Sequence, residues 1–192
     1  MKIKKLLWIF LLLSTSSLFA QKEKIYSWDE VQSLDPLTVT HLSLRKQKLT
    51  SLPSELVKFK NLQYLDLSKN KLNDLPLFFN EFDSLKVLNI ESNKLKLFPI
   101  AICQMINLEE LRAYNNLLPG MPDCVGSLKQ LKVIDLSDNL IEELPETLTK
   151  LPHLEKLLLN GMILDKYFQK KWTDKLPDVQ IQFGPPCDCM SH

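Results

Sequence analysis

One pattern constrains this chain more than any other. The spacing apolar-x-x-apolar-x-apolar starts at Val39, Leu62, Leu85, Leu108, Leu131 and Leu154, and each start lies 23 residues after the one before. A fixed period of this length means stacked copies of one supersecondary unit. A single copy cannot bury its own apolar side, so each must lie against its neighbours. The expected product is an elongated scaffold that presents a surface.

Laid over one another, the copies run over residues 39–61, 62–84, 85–107, 108–130 and 131–153, with a partial copy at 154–164. No insertion interrupts them. Positions one, four and six of each copy alternate with period two, which predicts a short strand with one inward face. Four further columns are apolar: Leu49, Leu72, Leu95, Leu118, Ile141 and Leu164 at position eleven, then positions fourteen, eighteen and twenty-one. Roughly seven inward side chains per turn make a continuous core. At about 1.5–3 kcal/mol per buried large side chain, that core offsets the entropy of ordering the backbone.

Two polar columns keep the same register. Position nine holds Asn70, Asn93, Asn116 and Asn139. An inward Asn at a turn can bond unpaired backbone groups in its own and adjacent copies, forming a ladder. Position fifteen holds Pro53, Pro76, Pro99, Pro122 and Pro145. Proline fixes φ and donates no hydrogen bond, so short helical turns are expected to begin there on the outer side.

The chain resembles the leucine-rich repeat family in its 23-residue form, LxxLxLxxNxLxxLPxxLxxLxx, over about residues 39–164. The resemblance is strongest to exported bacterial members. It implies an α/β solenoid, a right-handed superhelix in a horseshoe arc. A parallel sheet would line its concave face, short helical turns its convex face, with a cap at each end. It also implies a function in binding proteins. Gln47 and Met162 depart from the Asn column, both in terminal copies.

The ends read differently. Lys2, Lys4 and Lys5 precede an apolar run, Leu6 to Leu13, and small residues up to Ala20. This is the pattern of a cleavable signal peptide over residues 1–20, so a secreted or periplasmic protein is expected. No Cys follows the run, so no lipid anchor is expected, and no membrane insertion after cleavage. The first 20 residues carry three lysines and no acid, leaving 21 basic and 23 acidic side chains, a net charge of about −2. A near-neutral protein argues against nucleic acid or an anionic membrane as main partner.

Residues 21–38 are expected to cap the first copy. Ser27 and Glu30 have capping-box spacing, predicting a helix from Trp28 to about Leu34 with Trp28, Val31 and Leu34 on the core. Residues 165–184 are expected to cap the other end. A helix after Asp165 would place Phe168 and Trp172 inward, and Val179, Ile181 and Phe183 would alternate in a last strand. Residues 185–192 form a tail with Cys187, Cys189 and His192. These are thiolate and imidazole donors, but their spacing is not that of a metal site, so no metal or other cofactor is assigned. Cys103 and Cys124 lie on the convex side of adjacent copies, close enough for a possible disulfide in an exported protein.

Function should sit on the concave face. Positions two, three, five, seven and eight of each strand are expected to be free of core duty, and columns three, five and seven run in rows about 4.8 Å apart, so that six strands span roughly 24 Å. Tyr64, Val87, Arg112 and Tyr114 are expected near the centre, with Glu91, Glu110 and Asp135 around them. Tyr and Arg are the side chains that most often dominate binding surfaces. Arg112 could alternatively serve only to neutralise nearby acids. No phosphate loop, HExxH or GxSxG occurs, His41, His153 and His192 are scattered, and the carboxylates lie on a shallow face. The expected protein is therefore no enzyme but a monomeric module for a protein or peptide ligand. Glycan or cell-wall binding, and self-assembly as a structural envelope element, are the alternatives.

Overall fold

The computed structural model describes residues 23–185. The signal segment 1–20 and the tail donors Cys187, Cys189 and His192 lie outside the described residues. Eight parallel strands form one sheet in chain order: β1 Tyr26–Ser27, β2 His41–Ser43, β3 Tyr64–Asp66, β4 Val87–Asn89, β5 Glu110–Arg112, β6 Val133–Asp135, β7 Lys156–Leu159 and β8 Gln180–Phe183. The register advances by one repeat per strand, so Leu42, Leu65, Leu88, Leu111, Ile134 and Leu157 stand side by side. All six are buried. The repeating parallel sheet is the solenoid that the 23-residue period implies.

The outer side is built from 3₁₀ turns at Ser54–Lys58, Leu77–Glu81, Ile100–Gln104, Asp123–Ser127 and Glu146–Lys150. Each repeat proline stands immediately before its turn, with extended backbone and no side-chain cap. A 3₁₀ turn rises about 2 Å per residue against about 1.5 Å in an α-helix, so five residues cover more of the outer arc. Inside these turns, Phe79 and Phe82 meet edge to face with centroids 5.1 Å apart.

Two flanks join the sheet to the outer turns. The ascending flank, positions eight to thirteen, leaves each strand through a sharp bend. The descending flank, positions twenty-two to two, returns to the next strand. At the ascending bend Asn93 Nδ2 donates to the Leu67 and Ile90 carbonyls at 3.1 and 3.0 Å, and its Oδ1 accepts the Leu72 N–H at 3.0 Å. Asn70, Asn116 and Asn139 repeat the arrangement, each bridging two turns. One residue earlier, position eight has positive φ in every copy: Lys46, Lys69, Ser92, Asn115, Asp138 and Gly161.

The caps differ from the sequence expectation in detail. Ser27 and Glu30 form the capping box, but α1 spans only Trp28–Val31. Val31 is buried, whereas Leu34 is exposed and does not cover the core. A two-residue strand, β1, pairs with β2 beyond the expected cap, since two residues carry no readable periodicity. At the other end Asp165 accepts the Phe168 N–H at 2.6 Å and starts α2, Lys166–Lys175. Trp172 is completely buried under this helix, and β8 closes the sheet against β7. No helix among the described residues is long and apolar enough to cross a membrane.

Candidate functional site

Positions three and five of each strand face the concave surface, and the register brings the candidates into rows. Tyr64 pairs with Val87 and Val87 with Glu110, while Arg112 stands between Asn89 and Asp135. Tyr64, Val87, Glu110 and Arg112 are all half-buried on this face. They lie at the middle of the sheet, on β3 to β5.

The face is less free than its columns suggest. The backbone N–H at position seven lacks a partner in the sheet, and a side chain two residues earlier accepts it. Asp66 Oδ1 takes the Ser68 N–H at 2.9 Å, Asn89 Oδ1 the Glu91 N–H at 3.0 Å, and Asp135 Oδ1 the Ser137 N–H at 3.0 Å. Ser43 does the same for Arg45 at 3.3 Å. These are local side-chain turns. Asp66, Asn89, Ser68 and Ser137 are consequently buried, and Asp135 is a turn residue rather than a free carboxylate. The expectation that positions five and seven carry no structural duty is corrected here.

Leu158 leaves that column in the last copy, where Ser137 Oγ accepts the Asn160 N–H at 3.2 Å instead. Arg112 breaks it in the fourth. It has no acceptor to offer, and its head turns instead to Glu110 on the same strand, Nε to Oε1 at 2.6 Å. This bond holds the guanidinium pKa above its ordinary value. Tyr64 lies within electrostatic reach of Arg112, Arg45 and Asp66. Burial, chiefly, and the Asp66 charge push its phenol up, while the two arginines pull it down. His41 stacks on Tyr64 with ring centroids 5.7 Å apart and planes at 11°. Its Nδ1 is 2.8 Å from Glu23 Oε2. Arg45 donates to Ser68 Oγ at 3.1 Å. His41 and Arg45 thus extend the cluster toward β2. They sit in the same concave columns as the candidates, and the column membership was the available signal.

The remaining candidates stand apart. The Asp138 carboxylate at the bend, through its interaction with the Tyr114 hydroxyl, pushes that phenol's pKa up. Glu91 approaches Lys69 at 4.0 Å. The structure therefore gathers Tyr64, Val87, Glu110 and Arg112 into one patch and leaves Glu91, Tyr114 and Asp135 tied to the bends beside it. Glu110 and Arg112 neutralise each other, and no group of three His, Cys, Asp or Glu side chains converges among the described residues. On the convex side Cys103 and Cys124 form a disulfide between adjacent turns, with Cα atoms 5.6 Å apart.

Two family profiles, both described as leucine rich repeat, match residues 121–161 and 61–82. No curated protein matches the chain in sequence. Among solved structures, the plant peptide hormone receptor RGFR1 in complex with RGF2 superposes with TM-score 0.60 at 29% identity, over 75% of this chain and 24% of that one. The ectodomain of the receptor kinase GASSHO1/SCHENGEN3 from Arabidopsis thaliana, in complex with CASPARIAN STRIP INTEGRITY FACTOR 2, gives 0.57 at 28% identity, over 73% and 18%. A Leptospira interrogans LRR protein superposes less well, at 0.43 with 24% identity, over 79% and 51%. The chain spans about a quarter or less of the two plant receptors' lengths. The unbroken 23-residue register, the eight-stranded parallel sheet and both family matches agree: the chain is a leucine-rich repeat protein.

Proposed function

We propose that the concave face binds an extended segment of a protein or peptide partner, and that the chain has no catalytic role. The observation that carries this reading is Arg112. Four repeats use position five to satisfy their own backbone through Ser43, Asp66, Asn89 and Asp135. The central repeat gives up that bond for a guanidinium beside Tyr64 and Val87 on an open face. Half-buried Tyr and Arg side chains lose little entropy when a partner covers them, and such groups dominate interfaces. The two plant receptors, both solved in complexes, support a binding role.

The same reading places the protein outside the cytoplasm. The Cys103–Cys124 disulfide supports an oxidising compartment. Sequencing the N-terminus of the protein recovered from its native source tests this; a start at Gln21 is expected, and an intact Met1 overturns it.

Binding is tested by pull-down with purified protein, followed by titration of the captured partner against variants. Tyr64→Ala with Arg112→Ala should weaken binding at least about thirtyfold, since a hot-spot side chain carries about 2 kcal/mol or more. Lys58→Ala with Lys150→Ala, on the convex turns, should leave it unchanged. A partner that ignores the first pair and responds to the second shows that binding lies on the outer face.

A further inference from the structure

The ascending flank carries opposite charge at its two ends. Over the first three repeats it presents Lys46, Lys48, Lys69, Lys71, Lys94 and Lys96, all exposed, against the single acid Asp74. Further along it presents Asp138, Glu142 and Glu143, then Asp165 and Lys166. Elsewhere on the surface, among the described residues, most lysines find acids: Lys60 meets Glu81, Lys132 meets Glu109, Lys170 meets Asp174, and Lys171 and Lys175 meet Glu146, whereas Lys58, Lys129, Lys150 and Lys156 do not. Among the six lysines of the first three repeats on this flank, only Lys69 does, reaching Glu91 at 4.0 Å. Lys46, Lys48, Lys71, Lys94, Lys96, Glu142 and Glu143 form no ion pair among the described residues. A net charge near zero hides this segregation.

Between the two blocks the flank is apolar. Position ten reads Lys48, Lys71, Lys94, Leu117, Leu140, Ile163, changing character at its midpoint. Leu97 is 73% exposed, Leu140 59% and Leu117 42%. Gly120 leaves the fourth repeat without a side chain at position thirteen. A groove of about 610 Å³ opens there, walled by Leu97, Ile100 and Pro145.

We infer that this flank is an interface between two copies of the chain, related by a two-fold axis between the third and fourth repeats. An antiparallel side-by-side pairing sets the second repeat of one protomer against the fifth of its partner. Lys69 and Lys71 then face Asp138, Glu142 and Glu143, twice over. Near the axis Leu97 of each protomer faces Leu117 of the other. A two-fold interface must be self-complementary, and an apolar centre with a charged rim is the usual composition. A polyanion lying along the flank would gain the lysines but run onto the acids and leave the leucines uncovered. Both concave sheets stay open in this dimer, so it is independent of what they bind.

Light scattering of the purified protein over a concentration series tests the inference. The mass should rise toward twice that of the chain, less readily at high salt, because exposed charges are screened. Lys69→Glu with Lys71→Glu should weaken association at least tenfold, and so should Glu142→Lys with Glu143→Lys. Each puts like charges at both ends of the interface. Mixing the two reversed proteins restores opposite charges at both ends and should restore the dimer. All four positions are exposed, so melting curves should stay close to wild type. A wild-type protein that remains monomeric at its solubility limit overturns the inference, even if it retains heparin on its lysines. Variants that dimerise as wild type, or a mixture that stays monomeric, overturn it equally.

Discussion

The two flanks of the solenoid share one period and solve different problems. On the descending flank, position two reads Lys86, Glu109, Lys132, Glu155, so charge alternates from repeat to repeat. Glu109 lies 2.6 Å from Lys132 and 3.8 Å from Lys86. Here the chain feeds directly into the next strand, and its N–H groups reach the previous repeat, as Gln63 and Tyr64 do toward the Thr40 carbonyl. Side chains have little backbone to rescue. On the ascending flank the chain bends out of the strand through left-handed residues, and buried carbonyls are left for the Asn ladder. Residue type matters where the backbone turns away from its neighbours, and charge order is free where it does not.

Two asparagines give the sharpest test of this contrast. Asn93 is buried and bridges the Leu67 and Ile90 carbonyls and the Leu72 N–H. Asn107, on the descending flank, is exposed and makes one bond, to the Asp83 carbonyl at 2.8 Å. Asn93→Ala should cost about 3 kcal/mol or more, since each orphaned buried group costs about 1–3 kcal/mol. Asn107→Ala should cost well under about 1 kcal/mol, because water replaces an exposed partner. Urea denaturation measures both, and equal midpoints would erase the distinction between the flanks.

The next effect is conformational. Gly161 has φ +71, and a Cβ there would stand 1.6 Å from Asp138 Oδ1. Gly161→Ala should destabilise by about 1 kcal/mol or more, from the left-handed backbone and the displaced carboxylate. The other members of the column carry side chains at similar φ. Ser92→Gly should therefore be neutral or slightly stabilising, and a clear loss in thermal denaturation would show that the Ser92 hydroxyl outweighs the backbone. Ser92 is half-buried, and its Oγ accepts from Asn115 Nδ2 at 3.1 Å, so it is not the plain surface serine its position suggests.

Smaller still is the charge alternation. Glu109→Gln should lower stability by less than about 1 kcal/mol, and the difference from wild type should shrink in high salt. An unchanged difference in high salt would mean that packing, not charge, holds the row.

The smallest effect is at the N-terminal cap. The Ser27 backbone N–H, with Lys24 and the Ser27 hydroxyl, holds the Glu30 carboxyl at about 2, below its ordinary value of 4.5. Because the folded value is the lower one, this contribution is complete above pH 4.5 and is lost as pH falls toward 2. Thermal melts over that window should fall less steeply for Glu30→Gln than for wild type. Parallel curves would mean that the capping box does not persist in solution.

Much of the fold is legible in the columns. Every inward position recurs at 23 residues because stacked copies share one core, so Leu65, Leu88 and Leu111 announce their common row without any structure. The prolines announce where the outer turns begin, and the Asn column marks the bend. The candidate patch was only partly legible. Column membership finds Tyr64, Val87, Glu110 and Arg112, but it counts Glu91, Tyr114 and Asp135 with them.

The amino-acid sequence by itself determined the repeat, the register and the sidedness of each strand, because burial every 23 residues imposes the same residue type in every copy. Only the tertiary structure decided which concave side chains are spent on their own backbone. Asp66, Asn89 and Asp135 look like surface acceptors until the unpaired N–H two residues on is located. Tyr114 looks like a neighbour of Arg112 until Asp138 claims its hydroxyl. Those partners depend on the angle at which the chain leaves the strand, a property of the packed turn that no single column of residues contains.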